Sequence, residues 1–272
     1  MEQLPGKGST LISSEKLLLR MSGLEKTLCG IYLVLIAGAE ASTIYNSTLG
    51  IAFHVAILFT LLTYSAVTKR SAFSGLLLAL AIVPLIRILS LSMPLTHFAY
   101  IMWFLFISIP IFIAIFACMM IQGLSLRDVG ITLPKAKDIP IEIGIVLLAL
   151  PVGILEYHLL TPEPLLYELN PALLIAPVLI MIIYTGFVEE LAFRGLMQYH
   201  ALKTMGWWGI LFITIIFATM HVGNLIYWDV LLAFAIGGIY ALVVKKTGSI
   251  LGVSLSHGLI NVVLFLIAPL YF

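Results

Sequence analysis

Polar residues interrupt this chain at regular intervals, and nine predominantly apolar runs lie between the interruptions. The runs cover Thr27 to Tyr45, Leu49 to Val67, Ser74 to Met93, Phe98 to Ile121, Pro140 to Leu160, Ala172 to Met197, Trp207 to His221 or a little beyond, Tyr227 to Val244, and Ser249 to Phe272. A helix rises about 1.5 Å per residue, so about 20 apolar residues cross a hydrocarbon core about 30 Å thick. Each run is therefore predicted to be a membrane-spanning helix, and the fold class is all-α and polytopic. The segment 1–26 precedes the first run and lacks the layout of a cleaved signal peptide. A short interfacial helix is expected over Ser13 to Met21. The longest polar interruption, Ser125 to Asp138, divides a four-helix N-terminal module (27–138) from a five-helix module (139–272).

Composition agrees with this pattern. Of the 272 residues, 62% are hydrophobic and 10% charged, against about 25% charged in a soluble domain. The net charge of +1 leaves no basic face for a nucleic acid, which needs clustered Lys and Arg. The expected partners are membrane lipids and a membrane-associated peptide or protein. Cys29 and Cys118 both lie inside apolar runs, so free thiols are expected.

Cytoplasmic loops carry the excess of Lys and Arg, and the basic residues here fall on alternate connections. They are Lys7, Lys16, Arg20 and Lys26; Lys69 and Arg70; Arg127, Lys135 and Lys137; Lys203; Lys245 and Lys246. This places the N-terminus in the cytoplasm of a multi-pass protein of the cell membrane, and a prokaryotic cytoplasmic membrane fits.

Charges inside apolar spans are costly, at about 2.5 to 3.5 kcal/mol each on insertion scales. Glu40 and Arg87 are expected to pair across neighbouring helices near His54, a structural arrangement. Glu156 and His158, near the end of the fifth run, are expected at the interface. The C-terminal module collects Glu189, Glu190, Arg194, His221, His257 and Asn261 in or beside three spans. Glu190 and Arg194 are four apart and suit an intrahelical ion pair. Glu189 is turned by about 100° from Glu190 and is free to face elsewhere. Phe217 with His221, and His257 with Asn261, repeat the spacing of four. Glu189 and His257 lie level, each about 12 Å in from the inner end of its helix. His221 reaches that level if the sixth helix runs on past Arg194 and turns near Met205 and Gly206.

Four readings follow. A polar seam that fixes helix packing uses these residue types, and so does a proton or ion path. A carboxylate in a partly apolar cavity is also a general base for water. In that case Glu189 is the base, Glu190 and Arg194 support it, His221 positions the water, and His257 and Asn261 stabilise the oxyanion. If a metal is present, Glu189, His221 and His257 are the zinc set, although no His-Glu-x-x-His occurs and His200, His221 and His257 are far apart in sequence. No cofactor is firmly implied, and zinc stays open. Ser254 and Ser256 lack the elbow of a serine hydrolase.

Glu189-Glu190-Leu191-Ala192-Phe193-Arg194, Phe217-Ala218-Thr219-Met220-His221 and His257-Gly258-Leu259-Ile260-Asn261 occur in that order. In this the chain, over about residues 140–272, resembles the CAAX protease and bacteriocin-processing (CPBP) family of intramembrane proteases, which includes the type II CAAX prenyl endopeptidase. The resemblance implies an all-helical membrane core with a cavity open to the cytosol and an endopeptidase activity that is either glutamate-dependent or, in older readings, metal-dependent. It implies a prenylated CAAX-type or bacteriocin-like substrate, or, alternatively, a non-catalytic bacteriocin-immunity or adaptor protein of the same fold. The first four spans carry no motif of the family.

Overall fold

The computed structural model describes residues 21–69, 71–166 and 171–272. Of the interfacial helix expected over Ser13 to Met21, all but Met21 lies outside the described residues, as do Lys7, Lys16, Arg20 and Arg70. No strand occurs among the described residues, and nine helices are long and apolar enough to cross a membrane. They are α1 (Gly23–Tyr45), α2 (Ser47–Val67), α3 (Ser71–Ser92), α4 (Tyr100–Ile121), α5 (Ala136–Leu160), α6 (Leu173–Met205), α7 (Trp207–Asn224), α8 (Tyr227–Thr247) and α9 (Leu251–Leu270). The nine expected spans are all present. The protein is a multi-pass, all-α membrane protein.

Local sequence explains where these helices start, stop and bend. Ser22 and Glu25 form a reciprocal capping box at the start of α1, which satisfies two of the amides a helix start leaves open. Proline lacks an amide N–H, and its ring crowds the carbonyl four residues back. The regular helix of α3 accordingly breaks between Leu80 and Ile82, at the carbonyl opposite Pro84. Helix α5 breaks between Leu147 and Ala149, opposite Pro151, for the same reason. In the connection after α4, Asp128 accepts from the Ser125 hydroxyl at 2.6 Å and amide at 2.9 Å. These bonds hold its carboxyl below the usual carboxylate range.

Helix α6 departs from regularity. Ile180–Phe187 and Leu191–Met197 are π-helical and flank a short α-helical stretch, Val188–Glu190. Wide turns of this kind are frequent at functional sites. The 3.6-residue period used to place Glu189 and Glu190 thus holds only between these turns. Helix α6 runs on to Met205 and turns at Gly206, which has φ +59°, as expected from the depth of His221.

The basic connections gather at one end of the bundle. Arg127 and Lys245 line one cavity with Gly195 and Gln198. Lys203 lines another with Thr68 and Gln122, and Lys26 a third with Met205 and Trp208. Cys29 and Cys118 are free, buried thiols. One apolar core runs from Ile36 and Leu61 through Leu76 and Ile115 to Leu191, Ile216 and Val253, joining the spans before and after the connection at 125–138.

Candidate functional site

Backbone contact between α6 and α9 fixes the frame of the site. A Cβ built on Gly186 would lie 2.4 Å from the Gly258 amide nitrogen and 2.6 Å from the Ser254 carbonyl oxygen; one on Gly258 would lie 2.5 Å from Ile182 Cα. These approaches are far inside van der Waals distance, so only glycine permits the crossing. His257, beside Gly258, is thereby brought onto the Glu-Glu motif of α6.

Glu190 is fully buried and held twice. Its Oε1 accepts from Arg194 Nη1 at 2.9 Å and from His257 Nδ1 at 2.9 Å. Arg194 is only 1% exposed at its side chain, and its Cζ lies 4.0 Å from the centroid of the Phe217 ring, a cation–π stack. Gly237 on α8 makes room for that stack. A Cβ there would meet Arg194 Nη2 at 2.8 Å and Phe217 Cδ1 at 2.9 Å. The Phe of the second motif is therefore the platform beneath the Arg of the first.

Glu189 differs from its neighbour. Its side chain is 40% exposed, and its Oε2 lies 3.8 Å from His257 Nε2. It borders a cavity of about 310 Å³ walled by Tyr100, Trp103, Phe104 and Ile107 of α4 and by Arg87 of α3. Of the adjacent carboxylates, one is locked and the other faces open space, as the spacing suggested.

His221 sits where α7 loses its regular helix. Its Nδ1 lies 3.1 Å from the Phe217 carbonyl, which can only accept, so Nδ1 carries the proton and Nε2 is left for the site. Its ring centroid is 5.0 Å from that of Phe217, and His257 stands edge-on to the same Phe217 ring at 6.2 Å. His221 and His257 line one small cavity of about 40 Å³. Asn261, one turn beyond His257, donates through Nδ2 to the Thr185 hydroxyl at 2.8 Å. The structure thus joins Glu189, Glu190, Arg194 and His257 directly, and His221 through the Phe217 ring. Asn261 is tied to α6 one turn before the Glu pair.

Several residues of the site were missed or misplaced by sequence reasoning. Glu156, expected at the interface, lines the small cavity that also holds His221 and His257, which gives the site a third carboxylate. Asp229 on α8 is buried and accepts from Asn224 Nδ2 at 2.8 Å, closing the turn after His221. Tyr240 donates to Ser256, whose hydroxyl donates to the Ile145 carbonyl, each at 2.7 Å. Ser256 is a buried strut. Acids on α5 and α8 carry no motif, and only their rarity within apolar spans marks them out.

The proton on His221 Nδ1 and the bond from His257 Nδ1 to Glu190 are the outer-sphere pattern of metal-binding histidines. Yet among the described residues no three His, Cys, Asp or Glu side chains converge as a set that could hold a metal ion. The residues as placed do not fit zinc.

Fold and site together define an all-helical membrane protein with a carboxylate, arginine and histidine cluster buried among its C-terminal spans. Residues 171–263, about a third of the chain, match the family described as Type II CAAX prenyl endopeptidase Rce1-like. The match includes all three motifs, so the resemblance to the CPBP family stands, and it supports an intramembrane protease of CAAX type in general. No curated protein and no solved structure matches the chain.

Proposed function

We propose that this protein is an intramembrane endopeptidase that hydrolyses a peptide bond in a membrane-associated substrate through water activated by Glu189. The observation that carries the proposal is the division of labour between adjacent acids. Glu190 is consumed by Arg194 and His257, whereas Glu189 faces a cavity. A packing seam has no use for a second, open carboxylate.

In the proposed reaction Glu189 takes a proton from water, and the water oxygen bonds to the carbonyl carbon of the scissile peptide. His221, through Nε2, orients that water. His257, as the imidazolium with Nδ1 on Glu190, donates through Nε2, and Asn261 through its remaining N–H, to the oxyanion that forms. The C–N bond then breaks, the proton held by Glu189 passes to the leaving amine, and two peptides result. Glu190 and Arg194 do not touch the substrate in this scheme. They hold His257 and set the local field. The mechanism needs no metal.

We further propose that 139–272 is the catalytic part and 27–138 a supporting module. The end of the bundle rich in Lys and Arg faces the cytoplasm of a prokaryotic cell, where membrane lipids and the peptide substrate meet the protein. Prenylated CAAX-type proteins and bacteriocin-like peptides are the substrate classes that the family suggests.

The test compares membranes from cells carrying the wild-type chain or Glu189→Gln, reading peptide termini by proteomics. A shortened membrane peptide that disappears with Glu189→Gln, while the variant inserts and folds normally, supports the reading. Equal cleavage by both proteins removes Glu189 as the base. A protective phenotype kept by the variant without cleavage identifies an adaptor.

A further inference from the structure

We infer that Arg87, set by Glu40 and His54, is a positioning residue through which the N-terminal spans hold His221 in register for the chemical step. The inference rests on the proteolytic reading above. It concerns spans that carry none of the three motifs.

The regular helix of α7 stops at Thr219, and the chain passes through Met220 and His221 into a short 3₁₀ turn at Val222–Asn224. A helix end leaves carbonyls with no partner in the helix, and within a membrane there is little water to satisfy them. The Met220 carbonyl accepts from Arg87 Nη2 at 2.8 Å. Arg87 therefore caps α7 from another helix, and a cation is the favourable sign at a helix C-terminus.

The same guanidinium is fixed from the far side. Its Nε donates to Glu40 Oε1 at 3.0 Å, and Nη2 lies 2.7 Å from Glu40 Oε2. Glu40 is completely buried on α1, and so is His54 on α2, whose Nε2 lies 3.4 Å from Glu40 Oε1. Four helices thus meet at one ion pair, and the arginine has little freedom to leave the Met220 carbonyl. Sequence reasoning identified the pair but not its third partner, a backbone oxygen without any residue signature.

The consequence for the site follows from the planar peptide bond. The Met220 carbonyl and the His221 amide belong to one rigid plane. Arg87 holds one edge of that plane, and the His221 amide holds the other by donating to the Ala218 carbonyl at 3.0 Å. The imidazole is tied separately to Phe217. Released from Arg87, the plane is free to rotate and carries the Cα of His221 with it. Displacements of about 1 Å in reacting geometry cost up to about a hundredfold in rate. Arg87 also borders the cavity that holds Glu189, so its loss is felt beside the base as well.

The variants are Arg87→Met, Arg87→Lys and the double variant Glu40→Leu/Arg87→Met. The double variant removes both charges together, and so keeps the test open if Arg87→Met alone strands a buried carboxylate and fails to fold. Kinetics use purified full-length protein in lipid nanodiscs, with the membrane peptide whose shortening requires Glu189. The double variant is expected to lose roughly 10- to 100-fold in kcat with KM within about twofold of wild type. Arg87→Lys, which keeps the charge but lacks the planar fork that spans Glu40 and Met220, is expected to recover part of that loss. Amide hydrogen exchange is the second readout. Residues 221–225 should exchange at least about tenfold faster in the double variant, while α9 is unchanged.

The outcomes separate the two ideas. If no peptide depends on Glu189, the proteolytic reading falls, and hydrogen exchange still decides whether Arg87 clamps the turn. If cleavage needs Glu189 but the double variant keeps wild-type kcat, the inference is overturned. Unchanged exchange at 221–225 overturns it too, as does a rise in KM at constant kcat, which would make Arg87 a substrate contact.

Discussion

The lock on Glu190 makes the sharpest energetic prediction, and its test needs no substrate. In Arg194→Met the Glu190 carboxylate stays fully buried and loses the 2.9 Å bond from Nη1. It keeps the bond from His257 Nδ1, while its Oε2 already lacks a hydrogen bond. Neither side chain is open to solvent, so screening offers no relief, and breaking one side of such a pair costs about 3 to 5 kcal/mol. The Phe217 stack is lost as well, at about 2 kcal/mol for a desolvated cation–π contact. Glu190→Leu alone strands the guanidinium in the same way. Replacing both, as Glu190→Leu/Arg194→Met, removes the stranded charge and should restore much of the loss. The double variant is thus expected to be more stable than the sum of the singles by roughly 1.5 kcal/mol or more, the upper half of the usual range for interacting pairs. Reversible unfolding in mixed detergent micelles, read by intrinsic fluorescence across this cycle, supplies the number. Single-variant losses that simply add, within about 0.5 kcal/mol, would refute the claim that these side chains form one buried unit.

Other expectations follow from the same geometry. Gly186→Ala would place a methyl group 2.4 Å from the Gly258 backbone, so α6 and α9 must part. Loss of activity together with destabilisation of about 1 to 3 kcal/mol is expected, read by cleavage and unfolding assays. Gly237→Ala should push Arg194 and Phe217 apart and lower activity while the protein still inserts; a wild-type rate would mean the stack is dispensable. Glu156→Gln should reduce turnover by roughly 10-fold or more if this acid takes part in proton transfer near the two histidines, with expression and folding unchanged; steady-state kinetics decides. Purified protein should keep its activity after a strong chelator and carry no stoichiometric zinc by elemental analysis, and the opposite finding would replace the glutamate mechanism.

The spans were legible because membrane thickness and helical rise leave few alternatives once nine apolar runs are seen. Glu190 and Arg194 were legible because a spacing of four places side chains together on any helix. The π-helical turns of α6 were not legible, since no residue pattern in Ile180–Phe187 or Leu191–Met197 distinguishes a π-turn from a regular helical one. Nor was Glu156. Its position near the end of an apolar run suggested a headgroup neighbour, and only the crossing of α5 with α8 and α9 turns it inward. The hold of Arg87 on Met220 was out of reach altogether, because a main-chain oxygen leaves no mark in a string of side chains.

The meeting of Gly186 with Gly258 also limits how this protein can change over generations. Elsewhere in the bundle residues can drift in pairs, a bulkier one on one helix answered by a slimmer one on the next. At these two positions no such exchange exists, because nothing slimmer than glycine is available to yield. Drift around the site must therefore run through the residues flanking this crossing, while the crossing itself stays as it is.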